Sequence, residues 1–207
     1  FRFPIRRSPE DPGLLRLGPP SLVDDMDGLL NPSPARRGKR VAFLHQGESR
    51  GFVRELGTRI RRTRLGMHPM IGPIAMSADG ELVATAHFHG EGVKVWEASS
   101  GRLIRDVPAS GDRAGASFSP DSRHLVVSAG ERNEYTVWEV GAWRRVGAWE
   151  RSVLMPCSFS PSGSLMAIGT SHPRVDLIDP STWSPLAALD PSSVTVDQLI
   201  FSGDDGR

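Results

Sequence analysis

Between residues 72 and 107 apolar and polar positions alternate in short runs, each closed by turn-forming residues. The runs "GPIAM" (72–76), "ELVATA" (81–86), "GVKVW" (92–96) and "RLIRDV" (102–107) have the two-residue period and β-branched content of strands, and the Gly- or Ser-bearing segments between them read as turns. The same order returns downstream at 123–128, 134–138 and 143–149, and again at 164–169, 174–178 and 183–189. No stretch between these runs carries a helical period of apolar residues. The pattern therefore predicts an all-β chain of short antiparallel strands.

The turns repeat more strictly than the strands. A serine following a short apolar run recurs at Ser77, Ser119, Ser160 and Ser202, at intervals of 42, 41 and 42 residues, with a weaker member, Ser33, 44 residues before the first. Its context is Ser77-Ala-Asp79-Gly80, Ser119-Pro120-Asp121 and Ser160-Pro161-Ser162-Gly163. Pro presets φ, Asp or Ser bonds back to the turn, and Gly accepts the left-handed conformation that closes a hairpin. Each period then holds four strands. Leu82, Ala84 and Ala86 lie on one side of their strand and Val83 on the other, so a single four-stranded sheet exposes two apolar faces that its neighbours must cover. Four-stranded sheets repeating every 40 to about 45 residues and packed face to face around an axis describe a β-propeller. A sandwich of similar strands does not account for so constant a period.

The segments "MSADGELVATAHFHGEGVKVWEASSGRLIRDV", "FSPDSRHLVVSAGERNEYTVWEVGAWRRVGAW" and "FSPSGSLMAIGTSHPRVDLIDPSTWSPLAAL" resemble WD40 repeats of the degenerate bacterial type. Trp96-Glu97, Trp138-Glu139 and Ile178-Asp179 stand in the place of the family's Trp-Asp pair. The resemblance implies a single propeller portion over 1–207: a partial blade at 1–18, a diverged blade at 21–65, blades at 67–108, 109–150 and 151–190, and the start of another at 191–207. About four full blades with partial blades at both ends make an incomplete propeller, the expected fragment of a longer chain. The family often joins a Gly-His pair, a turn Asp, a Ser or Thr and the Trp in a buried hydrogen-bond network. Here only Gly66-Met67-His68 resembles the first element, and the Asp position falls near Gly90, Arg132 and His172. No such network is expected in any blade, and apolar packing is expected to carry the stability.

Composition refines this picture. The 207 residues include 38% hydrophobic and 24% charged, with 22 Gly and 17 Pro, a globular but turn-rich balance. One cysteine, Cys157, forms no intramolecular disulfide, so a cytoplasmic setting is the expectation. No apolar run approaches the roughly 20 residues that span a bilayer, and no membrane partner is expected. Residues 1–66 hold 14 Lys and Arg against 7 Asp and Glu, net +7, and the remainder is net −6. Arg59, Arg61, Arg62 and Arg64 in "TRIRRTRL" form a candidate anion patch, because guanidinium forks suit phosphate. The alternative is a charged edge strand protected against aggregation. Without interleaved aromatics for stacking, the second reading is preferred.

Candidate chemistry is sparse. The chain has no phosphate loop, HExxH, GxSxG or cysteine pair for zinc, so no catalytic residue, cofactor or metal is expected. His87 and His89 in "HFHG", with His45 and His172 in register, fall in turns between second and third strands. These turns share one propeller face, which the resemblance makes the candidate partner face. Adjacent blades hold such side chains too far apart for one metal ion. "DDMDG" (24–28) lacks the calcium-loop spacing, and Cys157 reads as a small apolar residue. The five tryptophans read as core or rim packing.

The expected function is a non-enzymatic protein–protein interaction scaffold whose blade loops dock a protein partner. The resemblance implies attachment to a signalling domain such as a Ser/Thr kinase. Two alternatives are a ligand-binding or oxidoreductase propeller using its central channel, and nucleic-acid or anion binding through the Arg-rich half. The first-strand runs "GPIAM", "AGASF" and "MPCSF" carry few polar groups for a channel, so neither a small molecule nor nucleic acid is the expected partner.

Overall fold

The computed structural model describes residues 5–7, 15–17, 29–45, 47–56, 62–88, 92–109, 111–130, 134–150, 157–169, 174–189, 199 and 201. All its regular elements are strands. An antiparallel pair, β1 (Ile5–Arg7) and β2 (Leu15–Leu17), comes first. Four antiparallel four-stranded sheets follow in chain order. Sheet I holds β3 (Leu29–Pro34), β4 (Arg40–His45), β5 (Arg50–Glu55) and β6 (Arg62–Met67). Sheet II holds β7 (Ile71–Met76), β8 (Leu82–His87), β9 (Val93–Glu97) and β10 (Leu103–Val107). Sheet III holds β11 (Ala114–Phe118), β12 (His124–Ala129), β13 (Glu134–Glu139) and β14 (Arg144–Glu150). Sheet IV holds β15 (Cys157–Phe159), β16 (Met166–Gly169), β17 (Val175–Asp179) and β18 (Ser184–Leu189). Each sheet is a simple meander of sequential neighbours, and no helix occurs among the described residues. The arrangement is consistent with a β-propeller-like fold.

The core is divided among the joints between sheets, because each sheet uses both faces. Ala42, Leu44, Val53 and Leu65 of sheet I pack on Ile74, Met76, Val83 and Trp96 of sheet II. On its other face sheet II offers Ala84, Ala86, Val93 and Val95 to Phe118, Leu125 and Val127 of sheet III. Val126, Tyr135 and Val137 then meet Phe159, Met166, Ile168 and Ile178 of sheet IV. The alternation of β8 and β12 is thus spent on two partners, each fully buried Val or Leu contributing roughly 1.5–3 kcal/mol. First strands also approach one another in order, β7 lying against both β3 and β11. The outermost strand of sheet IV, β18, is exposed along its whole length.

The recurring serines build the first turn of sheets II, III and IV. Ser77 Oγ donates to Asp79 Oδ1 at 2.6 Å and accepts from Leu82 N at 2.9 Å. Ser119 repeats this with Asp121 Oδ1 (2.5 Å) and His124 N (2.9 Å). Ser160 accepts from Leu165 N (3.1 Å) and faces Ser162 Oγ (3.2 Å). All three serines are buried, so each hydroxyl meets the requirement that buried polar atoms be paired. Gly80 and Gly163 take the left-handed conformation (φ 78° and 77°), and Ser122 takes it at the same position (φ 63°). Ser122 Oγ accepts a bond from Asp79 N at 3.1 Å, joining the turns of sheets II and III. Ser33 Oγ, in β3, accepts from Met76 N at 2.9 Å and joins sheets I and II. Ser202 lies outside the described residues.

A second turn, between third and fourth strands, differs among copies. Gly101 (φ 74°), Trp143 (φ 52°) and Trp183 (φ 57°) occupy equivalent left-handed positions, which cost a side-chain-bearing residue roughly 1–2 kcal/mol. A Cβ on Gly101 would lie 2.0 Å from the Arg64 carbonyl oxygen of β6, so only glycine fits there. Trp183 instead packs edge-on against His124 and tilted against Trp149, pinning sheet IV to sheet III. Trp143 packs among the residues between sheets II and III.

Candidate functional site

Sheet II contains the polar network that the sequence reading did not expect. The Trp96 indole N–H donates to Thr85 Oγ1 at 2.8 Å, and His68 Nδ1 lies 2.7 Å from the same oxygen. Trp96, Thr85 and His68 are all buried. His68 arrives from the linker between β6 and β7, and Gly66 near the end of β6 lies against the indole so closely that a Cβ would meet it at 2.4 Å. The expectation of no network in any blade is corrected: Trp, Thr and His assemble without the turn Asp, because one hydroxyl serves both rings.

His87, expected on an exposed turn, ends β8 and is fully buried. Its Nδ1 lies 2.8 Å from the Gly92 carbonyl oxygen and its Nε2 2.9 Å from that of Gly111, so the ring bridges sheet II and the linker into sheet III. His45, its counterpart in β4, is half-exposed, 4.0 Å from Glu48 Oε1 and edge-on to Phe52. His89 and His172 lie outside the described residues, as do Arg59, Arg61 and residues 24–28. Among the described residues no group of three or more His, Cys, Asp or Glu converges as a metal site would require.

The remaining candidates fall into structural places. The Arg62 guanidinium lies 3.7 Å from the Phe52 ring centroid and 5.7 Å from that of Phe43, a cation–π cover over an apolar cluster of sheet I. Arg64 is exposed beside it. Burial, then the charge of Arg62, lowers the pKa of Arg54. Glu97 pairs with Arg102 at 3.6 Å and Glu139 with Arg144 at 3.0 Å. Ile178 is buried. Asp179 accepts from Ser181 Oγ at 2.7 Å and Ser181 N at 2.8 Å, bonds that hold its carboxyl below the usual range. Pro120 and Pro161 sit in the first turns of sheets III and IV. Burial pushes the Cys157 thiol up to about 11, against a weaker pull from a bond with Ser117; such a thiol is a poor nucleophile at neutral pH.

Sheet III presents a different picture from sheet II at the same register. Trp138 is half-buried, and its indole N–H donates to Thr136 Oγ1 on its own strand at 2.9 Å. The position of Thr85 is held by Val127, which offers no hydroxyl. Beside Trp138 lies a cavity of about 320 Å³ lined by Pro108, Ala109, Ala129, Glu134, Thr136, Trp138 and Arg145. Arg145 Nη1 reaches Glu134 Oε1 at 3.4 Å across its rim. Pro108 and Ala109 belong to the linker into β11, and Ala129 and Glu134 flank the turn between second and third strands. The cavity therefore lies toward the end of the sheet that His45 and His87 mark in sheets I and II.

Sequence reasoning missed all of these lining residues except Trp138, because a cavity is defined by side chains that are too small. The signal was comparative. Where sheet II has His87, Lys94 and Asp106, the register places Ala129, Thr136 and Ala148 in sheet III. All three are smaller.

No protein-family model matches the chain, and no curated protein matches it. Among solved structures it is similar to hydrazine synthase of Kuenenia stuttgartiensis, with a TM-score of 0.63 and 17% identity, over 81% of this chain and 50% of that one. The chain thus spans about half the length of that neighbour, and at this identity the likeness concerns the fold alone. In all, 1167 chains of solved structures match, and a shared fold by itself assigns no activity.

Proposed function

We propose that the protein is a non-enzymatic interaction scaffold: a WD40-like propeller module of a larger protein, its four sheets acting as blades. It docks a protein partner at the end bearing the inter-sheet linkers and the turns between second and third strands. The observation that carries this reading is the cavity beside Trp138 at that end, since the corresponding registers of sheet II are filled by the chain's own side chains. A pocket of about 300 Å³ or more with an aromatic wall and a few polar groups is of the kind that receives a ligand or an anchoring side chain. The Glu134–Arg145 pair on its rim supplies charge that sets register.

The test is quantitative capture of proteins from the source lysate by wild type and two variants. Glu134→Lys inverts the rim of the cavity, and Arg123→Glu inverts a charge in the first turn at the opposite end. A partner depleted by the first substitution and retained by the second is the expected result. Equal recovery with all three proteins, or recovery of no protein together with turnover of a small molecule, overturns the reading.

A further inference from the structure

We propose that the cavity beside Trp138 is a slot for a histidine side chain presented by the partner polypeptide; this rests on the docking reading above. In sheet II the corresponding face holds two imidazole rings, His68 against the Trp96–Thr85 pair and His87 at the end of β8, both buried. Beside them Lys94 is paired to Asp106. In sheet III the registers of His87, Lys94 and Asp106 carry Ala129, Thr136 and Ala148, and the space opens to about 320 Å³. Val107 remains buried at the register of Leu65, so the end of β10 keeps the place that β6 has in sheet I.

The lining selects the occupant. Trp138 supplies an indole for a planar ring to stack on. Thr136 Oγ1 donates to the Val127 carbonyl oxygen at 3.5 Å and accepts from the Trp138 indole N–H, which leaves its second lone pair for an incoming N–H. The Glu134 carboxylate accepts a second, charge-assisted bond at the mouth. A purely apolar side chain would make neither of these two bonds, since it carries no N–H to offer them. An anionic one would face Glu134, while Arg145 is already engaged by that carboxylate. A planar, weakly basic ring with two N–H-bearing positions meets every requirement, and the volume beyond one imidazole accommodates the peptide that carries it.

The probe is N-acetylhistidine methylamide, with N-acetylleucine methylamide as control, read on the Trp138 indole N–H resonance assigned through Trp138→Phe. Expected is a saturable shift with the histidine probe and none with the leucine probe. Glu134→Gln, a rim change that leaves the packing intact, should weaken binding about tenfold, the value of one hydrogen bond to a charged group. Ala109→Phe, which fills the cavity, should abolish it. Equal shifts by both probes, no shift by either, or binding unchanged in Glu134→Gln overturns the proposal even if Ala109→Phe fails to fold. Since the probe needs no partner protein, a slot that binds it while capture recovers nothing would count against the docking reading and not against the slot.

Discussion

Sheets II and III share a strand order, a turn and a tryptophan at the end of the third strand, yet they treat that tryptophan in opposite ways. In sheet II, Trp96 is buried under Gly66 and bonded through Thr85 to His68. At the joint with sheet I, a cavity near Val53 and Ala98 measures about 30 Å³, the scale of a single water. In sheet III, Trp138 is half-buried and bonded only to its own strand, and it borders roughly ten times that space. The repeat thus supplies one backbone and two uses. Filled, the tryptophan face locks one sheet to the next; unfilled, it becomes a receptor.

Breaking the filled face should give the largest effect. His68→Ala removes a buried ring and its bond to Thr85, and a loss of about 3 kcal/mol is expected in urea unfolding. A loss under about 1 kcal/mol would mean that sheet II is not locked by this network. Thr85→Val keeps the shape but strands the Trp96 N–H, and about 2 kcal/mol is expected. Trp138→Phe in sheet III should cost under about 1 kcal/mol, since it removes a half-exposed indole whose N–H bonds a neighbouring hydroxyl. A ranking with Trp138→Phe above Thr85→Val would erase the distinction between the two sheets.

The smallest effect concerns the first turns, where sheet III carries Asp121 and sheet IV Ser162. Burial acts to raise the Asp121 carboxyl, but bonds from Ser119 Oγ and Arg123 N, with the charges of His124 and Arg123, bring it below the usual value. A depressed folded-state value stabilises the protein above the unfolded value of about 3.9 and is lost as pH falls through the folded one. Asp121→Asn should therefore flatten the acid limb of the stability profile below about pH 4, whereas Ser162→Ala should leave its slope unchanged. Equal slopes in wild type and Asp121→Asn would show that the turn carboxylate makes no such contribution.

The strands and first turns were legible because their causes are local. Alternation places β8 at 81–86 against the observed Leu82–His87, and a serine, an aspartate and a glycine within four residues specify the turn. His87 was misread as a turn residue because its carbonyl partners lie 5 and 24 residues away. The network of Trp96 escaped notice because it lacks the Asp that marks it in the family pattern, and its histidine comes from the preceding linker. The cavity was legible only by difference, through Ala129, Thr136 and Ala148 set against His87, Lys94 and Asp106. Trp143 and Trp183 were placed near strand starts, but nothing local announces their positive φ.

The glycine at 101 has a consequence for how such a chain can be rearranged. Its contact with the Arg64 carbonyl oxygen admits no side chain, while the units that follow carry a bulky indole at that spot. A duplication or shuffle that set the third unit directly behind the first would drive Trp143 into a backbone. The copies look interchangeable when written out, but their order is fixed at the seams.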